Sequence, residues 1–275
     1  MEETHAANDQ MAPVRVRNRA GESPFVVLCD HASHHIPMQY GTLGLSAEER
    51  ISHIAWDPGA LPVASGLAAS LDATLVESCL SRLVTDCNRP LDAPDLVPEI
   101  SERTAIPGNM GLGPDERARR IATVHAPYHA CIENLIGERL ADGRETFLLA
   151  LHSFTPVYKG TPRPWQIGVI HDRDMRLAKP ILDALSAAGG LTVGDNQPYS
   201  PADRVYYTLE RHGRSRGLPC AMIEIRNDEI SDERGQRQWA DLLAGILLTV
   251  KPKNNGISAF AGSGRGSGEE AGCGK

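Results

Sequence analysis

A single α/β domain, a parallel or mixed sheet covered by helices, is predicted for this 275-residue chain by three observations. Short apolar runs alternate with amphipathic stretches, which is how strands and the helices that cover them read. Hydrophobic residues make up 41% and charged residues 23%, the ordinary globular mix that builds a real core. No internal repeat and no Pro/Gly/Ser linker divides the middle of the chain. The domain is expected over residues 21–250, with a polar segment at 1–20 and a flexible tail at 251–275, where Gly, Ser, Asn and charge dominate.

The apolar runs at 25–29, 73–76, 146–151, 166–170 and 220–225 read as strands. Ser46 and Glu49 have capping-box spacing, so a helix is expected to begin there. The segment 90–112 is long and rich in Pro and Gly, and loops of that length usually border a functional site. From 114 to 141, Ile121, Val124, Tyr128, Ile132 and Leu135 share one helical face, which Pro127 is expected to kink or divide. The last helix is the clearest: Trp239, Leu242, Leu243, Ile246, Leu247 and Val250 recur at helical spacing after a candidate cap at Ser231.

Charge and composition exclude some classes of function. With 28 Lys plus Arg against 35 Asp plus Glu, the net charge is −7, which opposes general nucleic-acid binding. No apolar run of membrane-spanning length is present, and the first twenty residues lack a signal peptide's apolar centre, so a cytoplasmic protein is expected. The six cysteines (Cys29, Cys79, Cys87, Cys131, Cys220, Cys273) are widely spaced with no CxxC pair and read as reduced and structural.

Polar residues gather where the apolar strands end, the place where open α/β sheets bind ligands. Asp30, His31, Ser33, His34 and His35 follow the first predicted strand, His152 and Ser153 follow the third, and Glu224 and Arg226 close the last. Two strand-end histidines with a nearby carboxylate would make a three-ligand zinc site with room for water. Taken singly, each histidine reads as a cap or hydrogen-bonding group; together they favour a metal. His31 and His34 form an HxxH pair, weak evidence within a loop. His125 and His129 have metal-binding spacing on a predicted helix, but Pro127 between them and the lack of a Glu after the first favour a structural role. His53, His171 and His212 line a pocket or face water. In the segment 81–90, Arg82, Asn88 and Arg89 fit either a carboxylate-gripping set or a salt-bridged edge strand. Asp57, in the WDPGA stretch, fits a helix cap, a metal ligand or both.

Read together and in order over residues 24–250, CDHASHHIP, AWDPGA, SRLVTDCNRP, PEIS, IPGN, LHSFTP, GVIHDRD, DNQPYS and IEIRNDEI resemble the N-formylglutamate amidohydrolase (N-formylglutamate deformylase) family. The resemblance implies a zinc carboxypeptidase-like hydrolase: a three-layer α/β/α sandwich around a mixed, mostly parallel sheet, zinc exopeptidase-like, with the active site at the strand ends. Its implied reaction cleaves N-formyl-L-glutamate, or a related N-acyl amino acid, to formate and glutamate, a step of histidine degradation.

The same resemblance implies one divalent metal ion, zinc foremost, on His31, His152 and an acidic ligand assigned to Asp57. His34 stands where the carboxypeptidase pattern has the Glu of HxxE and is the alternative third ligand. Glu224 becomes the general base, Arg226 orients it or binds a second carboxylate, and Arg82, Asn88 and Arg89 hold the substrate's carboxylates. The expected partner is a small acidic amino-acid derivative, not nucleic acid or membrane, and the oligomeric state, a homo-oligomer included, is left open. The competing readings are a carboxypeptidase-like or other amidase on a different acidic substrate, and a binding protein that has lost catalysis.

Overall fold

The computed structural model describes residues 11–250; the tail from 251 onward lies outside the described residues. Strand β1 (Val14–Arg17) alternates half-buried valines with exposed arginines, the pattern of a sheet edge. Ordered sheet thus begins ahead of residue 21, in the segment expected to be polar; two valines are too few to register as an apolar run. Strand β2 (Phe25–Cys29) is apolar and buried throughout, as a central parallel strand requires.

Helix α1 (Ala47–Ile51) begins with the expected capping box: the Glu49 N–H donates to Ser46 Oγ (3.2 Å) and the Ser46 N–H to the Glu49 carboxylate (2.8 Å). Helix α2 (Ala60–Leu71) leads into β3 (Thr74–Ser78). The long 90–112 segment contains a small hairpin, β4 (Ile100–Ser101) and β5 (Thr104–Ala105). Helix α3 (Pro114–Arg120) passes through a π-helical turn at Ile121–His125 into α4 (Ala126–Ala141). Pro127 has no N–H to donate, and its ring crowds the turn before it. The wider turn placed just there lets the helix run on.

Strand β6 (Phe147–Phe154) is followed by a second hairpin, β7 (Val157–Tyr158) and β8 (Thr161–Pro162), and then by β9 (Ile167–Ile170), α5 (Ala178–Ala188) and β10 (Val193–Asp195). Helix α6 (Tyr207–His212), strand β11 (Cys220–Arg226) and helix α7 (Glu233–Thr249) complete the described residues. The cap of α7 is Asp232, whose carboxylate accepts the Gly235 N–H at 2.8 Å, while the Ser231 hydroxyl donates to the Asp228 carbonyl. A carboxylate there both caps the helix and meets its positive end, which the expected serine would not.

Seven strands form one sheet in the order β1-β3-β2-β6-β11-β9-β10. The run β3-β2-β6-β11 is parallel; β9 is antiparallel to β11 and parallel to β10, and β1 is antiparallel to β3. Alternation along the strands splits the core. Val27, Leu149 and Ile223 pack with α2, α5 and α7, whereas Val26, Leu148 and Met222 pack with α4 and α6. The result is a three-layer α/β/α sandwich with a mixed, mostly parallel sheet. The five cysteines among the described residues are unpaired. No helix among the described residues is long and apolar enough to cross a membrane.

Candidate active site

Because β2, β6 and β11 are parallel neighbours, their carboxyl ends lie side by side, and the side chains at those ends converge. His31 stands just past β2, His152 lies near the end of β6, and Glu224 faces His152 across the β6–β11 register. Asp57 is delivered by the turn before α2 and tied to the first strand exit, its N–H donating to the His31 carbonyl at 2.9 Å. That turn depends on Gly59, which has φ +79° and where a Cβ would lie 2.4 Å from the Ile230 carbonyl oxygen. One donor atom each from His31, Asp57 and His152 lies within 4.8 Å of the other two, and all three side chains are buried.

The imidazole orientations are set by a second ring of carboxylates. His152 Nε2 lies 3.0 Å from Asp30 Oδ2 and its Nδ1 lies 2.9 Å from Asp57 Oδ2. His31 Nε2 lies 2.7 Å from Asp86 Oδ1 and its Nδ1 lies 3.3 Å from the same Asp57 oxygen. With the Nε2 protons directed to Asp30 and Asp86, both Nδ1 lone pairs face the same Asp57 oxygen, an arrangement that a cation between them would satisfy. Carboxylate-oriented histidines of this kind are usual around metal ions, so the donor set fits a divalent metal.

Burial opposes the charged imidazoles, yet Asp30 and Asp57 hold His152 well above its ordinary range, and Asp86 and Asp57 raise His31. Asp57 is held well below the usual carboxylate range: burial works against its charge, but His31 and Arg82 outweigh it.

Glu224 behaves in the opposite way. It is 4% exposed and its Oε2 has no hydrogen-bond partner among the described residues. Burial pushes its carboxyl up to about 7, although the nearby His152 charge works against this. A carboxylate poised near neutrality beside donors that could hold a cation is suited to moving a proton.

These groups line a cavity of about 340 Å³, a volume that fits a small molecule. Its wall includes Arg82, Asn88 and Arg89, as well as Ile100, Ser101 and Glu102 from the β4–β5 hairpin, so the long segment does border the site. Arg82 and Asn88, however, serve mainly as braces. Arg82 Nη1 donates to Asp57 Oδ1 (3.2 Å) and Nε to the Ile54 carbonyl (3.1 Å), while Nη2 binds the His53 carbonyl. Asn88 donates to the Val205 carbonyl and accepts the Thr208 N–H at 3.0 Å. Arg89 is paired through Nε with Asp95 at 2.7 Å, and its Nη1 lies 3.9 Å from Asp86.

Arg226 is not among the cavity-lining residues. It is the last residue of β11, and its guanidinium is held by Asp228 (2.7 Å), Glu229 (3.0 Å) and the Arg163 carbonyl (3.3 Å). It shares a strand face with Glu224, but its contacts fasten the turn at 227–230 and none of them is with Glu224. His34 also lies off the cavity wall, packed edge-on against Trp56 with ring centroids 4.8 Å apart. The geometry therefore brings Asp57, not His34, to the two histidines.

His125 and His129 are structural. His129 Nε2 donates to the Cys87 carbonyl (2.9 Å), and its Nδ1 accepts from His212 Nε2 (2.8 Å). His125 donates to the Arg89 carbonyl (3.0 Å), so this neutral group of imidazoles supports the segment that carries Asp86 and Arg89. Burial, reinforced by the neighbouring histidines and Arg211, holds His129 down to about 3.

Sequence reasoning gave Asp30 no role and missed Asp86, Tyr158 and Tyr199. Asp30 adjoins His31 in sequence, a signal that was available; Asp86 was visible only as one residue of SRLVTDCNRP. Tyr199 reaches the wall because Gly168, paired with Glu224 in the sheet, leaves room for the 196–199 loop: a Cβ on Gly168 would lie 1.8 Å from the Gln197 carbonyl oxygen.

A buried, unpartnered carboxylate beside three donors that could hold a cation, at the strand ends of an α/β/α sandwich, fits a hydrolase. Residues 23–231 match the N-formylglutamate amidohydrolase family, and the chain belongs to that family of amide C–N hydrolases. A solved gene product of Agrobacterium tumefaciens is 45% identical with a TM-score of 0.85, covering 87% of this chain and 95% of its own. An N-formylglutamate amidohydrolase from Ralstonia eutropha has the same fold, with 21% identity, a TM-score of 0.61, and coverage of 87% of this chain and 98% of its own. No curated protein is significantly similar to the chain.

Proposed function

We propose that the protein removes the acyl group from an N-acylated acidic amino acid, N-formyl-L-glutamate or a close relative, giving formate and glutamate, with one divalent metal ion, zinc foremost, held by His31, Asp57 and His152. The observation that carries this reading is the approach of both imidazole Nδ1 atoms to one Asp57 oxygen, with unpartnered Glu224 alongside. When bound, such a metal supplies Lewis acidity toward the amide carbonyl and the attacking water.

The protein's own groups perform the rest. Asp30 and Asp86 hold the imidazoles in the ligating tautomer. Arg82 fixes Asp57 through Oδ1, leaving Oδ2 turned to the histidines. Glu224 takes a proton from water as its oxygen attacks the formyl carbon and delivers it to the departing nitrogen as the C–N bond breaks. Its value of about 7 suits both halves of that transfer. Arg89, on the cavity wall, presents positive charge to an anionic substrate.

Formate and glutamate release from N-formyl-L-glutamate tests this reading. Turnover at rates typical of metabolic enzymes supports it. No turnover with any divalent metal, alongside turnover of uncharged amides, contradicts the acidic substrate.

A further inference from the structure

The residues assigned to the substrate's negative charge are largely occupied. The nitrogens of Arg82 all have protein partners, the side-chain amide of Asn88 is bound at both ends, and the charge of Arg89 is shared by Asp86 and Asp95. One guanidinium next to the cavity differs. Arg163 is 8% exposed, and its Nη1 has no hydrogen-bond partner among the described residues. It takes no part in the ion pairs around the cavity, where Arg82 belongs to Asp57 and Arg89 to Asp86 and Asp95.

Aromatic rings surround it. The guanidinium carbon lies 4.5 Å from the Tyr158 ring centroid, 4.7 Å from Tyr199 and 5.6 Å from Phe154. Tyr158 and Tyr199 both line the cavity, and so does Glu224, whose Oε2 is likewise buried without a partner. Ring contacts compensate only part of the cost of desolvating a cation; an anion completes the balance.

We propose that Arg163 is the receptor for one carboxylate of the substrate, caged by Tyr158 and Tyr199 behind the cavity wall, and that it sets the site's preference for anionic N-acyl amino acids. This deepens the hydrolytic reading above and rests on it for the identity of the substrate. The flanking rings hold the planar guanidinium in place, and its unpartnered Nη1 is a donor that a carboxylate would satisfy. The rings also keep water away, which strengthens the pair relative to an exposed one.

Arg163→Met keeps side-chain length and ring contact while removing charge and donors. Kinetics of zinc-loaded protein would be compared on N-formyl-L-glutamate, N-formyl-L-glutamine and N-formyl-L-isoglutamine, which lacks the α-carboxylate. The expected result is a KM for N-formyl-L-glutamate raised by about tenfold or more, with kcat retained within about threefold, while the amide missing the carboxylate that Arg163 holds is nearly insensitive. An equal loss on all three substrates, or a loss confined to kcat, overturns the proposal. A second readout needs no turnover: thermal-shift titration with glutarate should give a midpoint about tenfold higher in the variant, with partial recovery in Arg163→Lys. An unchanged midpoint overturns it. If the wild-type protein turns over none of the three compounds, yet glutarate binding still depends on Arg163, the hydrolytic reading fails and the carboxylate receptor stands.

Discussion

The Nδ1 atom of His152 lies 2.9 Å from Oδ2 of Asp57, although the two residues are 95 positions apart, one near the end of a central strand and the other in the turn before α2. His31 reaches the same oxygen from a second strand exit.

If that meeting point is a metal site, His152→Ala removes one of its three ligands. Bound zinc, measured by elemental analysis after gel filtration, should fall from about one per chain to near zero, and hydrolysis should fall with it. Stoichiometric zinc in the variant would refute the ligand assignment.

Asp30→Asn and Asp86→Asn act one step further out. Each leaves the ligands in place but weakens the orientation of an imidazole, so zinc affinity should drop by roughly 10–100-fold. Competition with a chromogenic chelator measures this, and activity should return at saturating zinc. Unchanged affinity in both variants would mean that the imidazoles are oriented without them.

Glu224→Gln should keep zinc and lower kcat by about 100-fold or more. The same substitution has a stability signature. The folded-state carboxyl sits at about 7, above its ordinary 4.5, so folding favours the protonated form and the advantage is lost as pH rises through 7. In chelator-treated protein the variant should therefore melt a few degrees above wild type at pH 8, with the difference vanishing near pH 4. A variant less stable at pH 8 would show that Glu224 is ionised and satisfied in the folded state.

Arg226→Ala should leave kcat and KM within about twofold of wild type. Its partners Asp228 and Glu229 are partly exposed, so the stability loss should stay at roughly 1 kcal/mol. A selective rise in KM for acidic substrates would place Arg226 in the site after all.

Gly59→Ala should destabilise the fold by about 2–3 kcal/mol, because a left-handed residue would gain a side chain aimed at the Ile230 carbonyl. Zinc affinity should weaken as well, since Asp57 lies two residues away. Denaturant melts with and without zinc would separate the two effects.

The central strands β2, β6 and β11 were readable because burial on both faces leaves uninterrupted apolar runs. Edge strands β1 and β10 were not: Val14 and Val16 alternate with arginines, and β10 is only three residues long. His31 and His152 stood out as imidazoles at strand ends. The partners that orient them did not, because a single carboxylate acquires meaning only when the fold brings it to a ring nitrogen. Arg226 misled for a similar reason. Sharing a strand face with Glu224 says nothing about the turn at 227–230 that captures its guanidinium. Arg163 gave no signal, since its cage closes only when the fold brings Tyr199 against the stretch that carries Phe154 and Tyr158.

The central claim, that His31, Asp57 and His152 hold a metal beside which Glu224 moves the proton, is tested most directly by following formate release from N-formyl-L-glutamate while zinc is removed and restored. Turnover that disappears on chelation and returns in proportion to zinc, up to one ion per chain, is the predicted result. Undiminished turnover in protein shown by elemental analysis to be metal-free would contradict it.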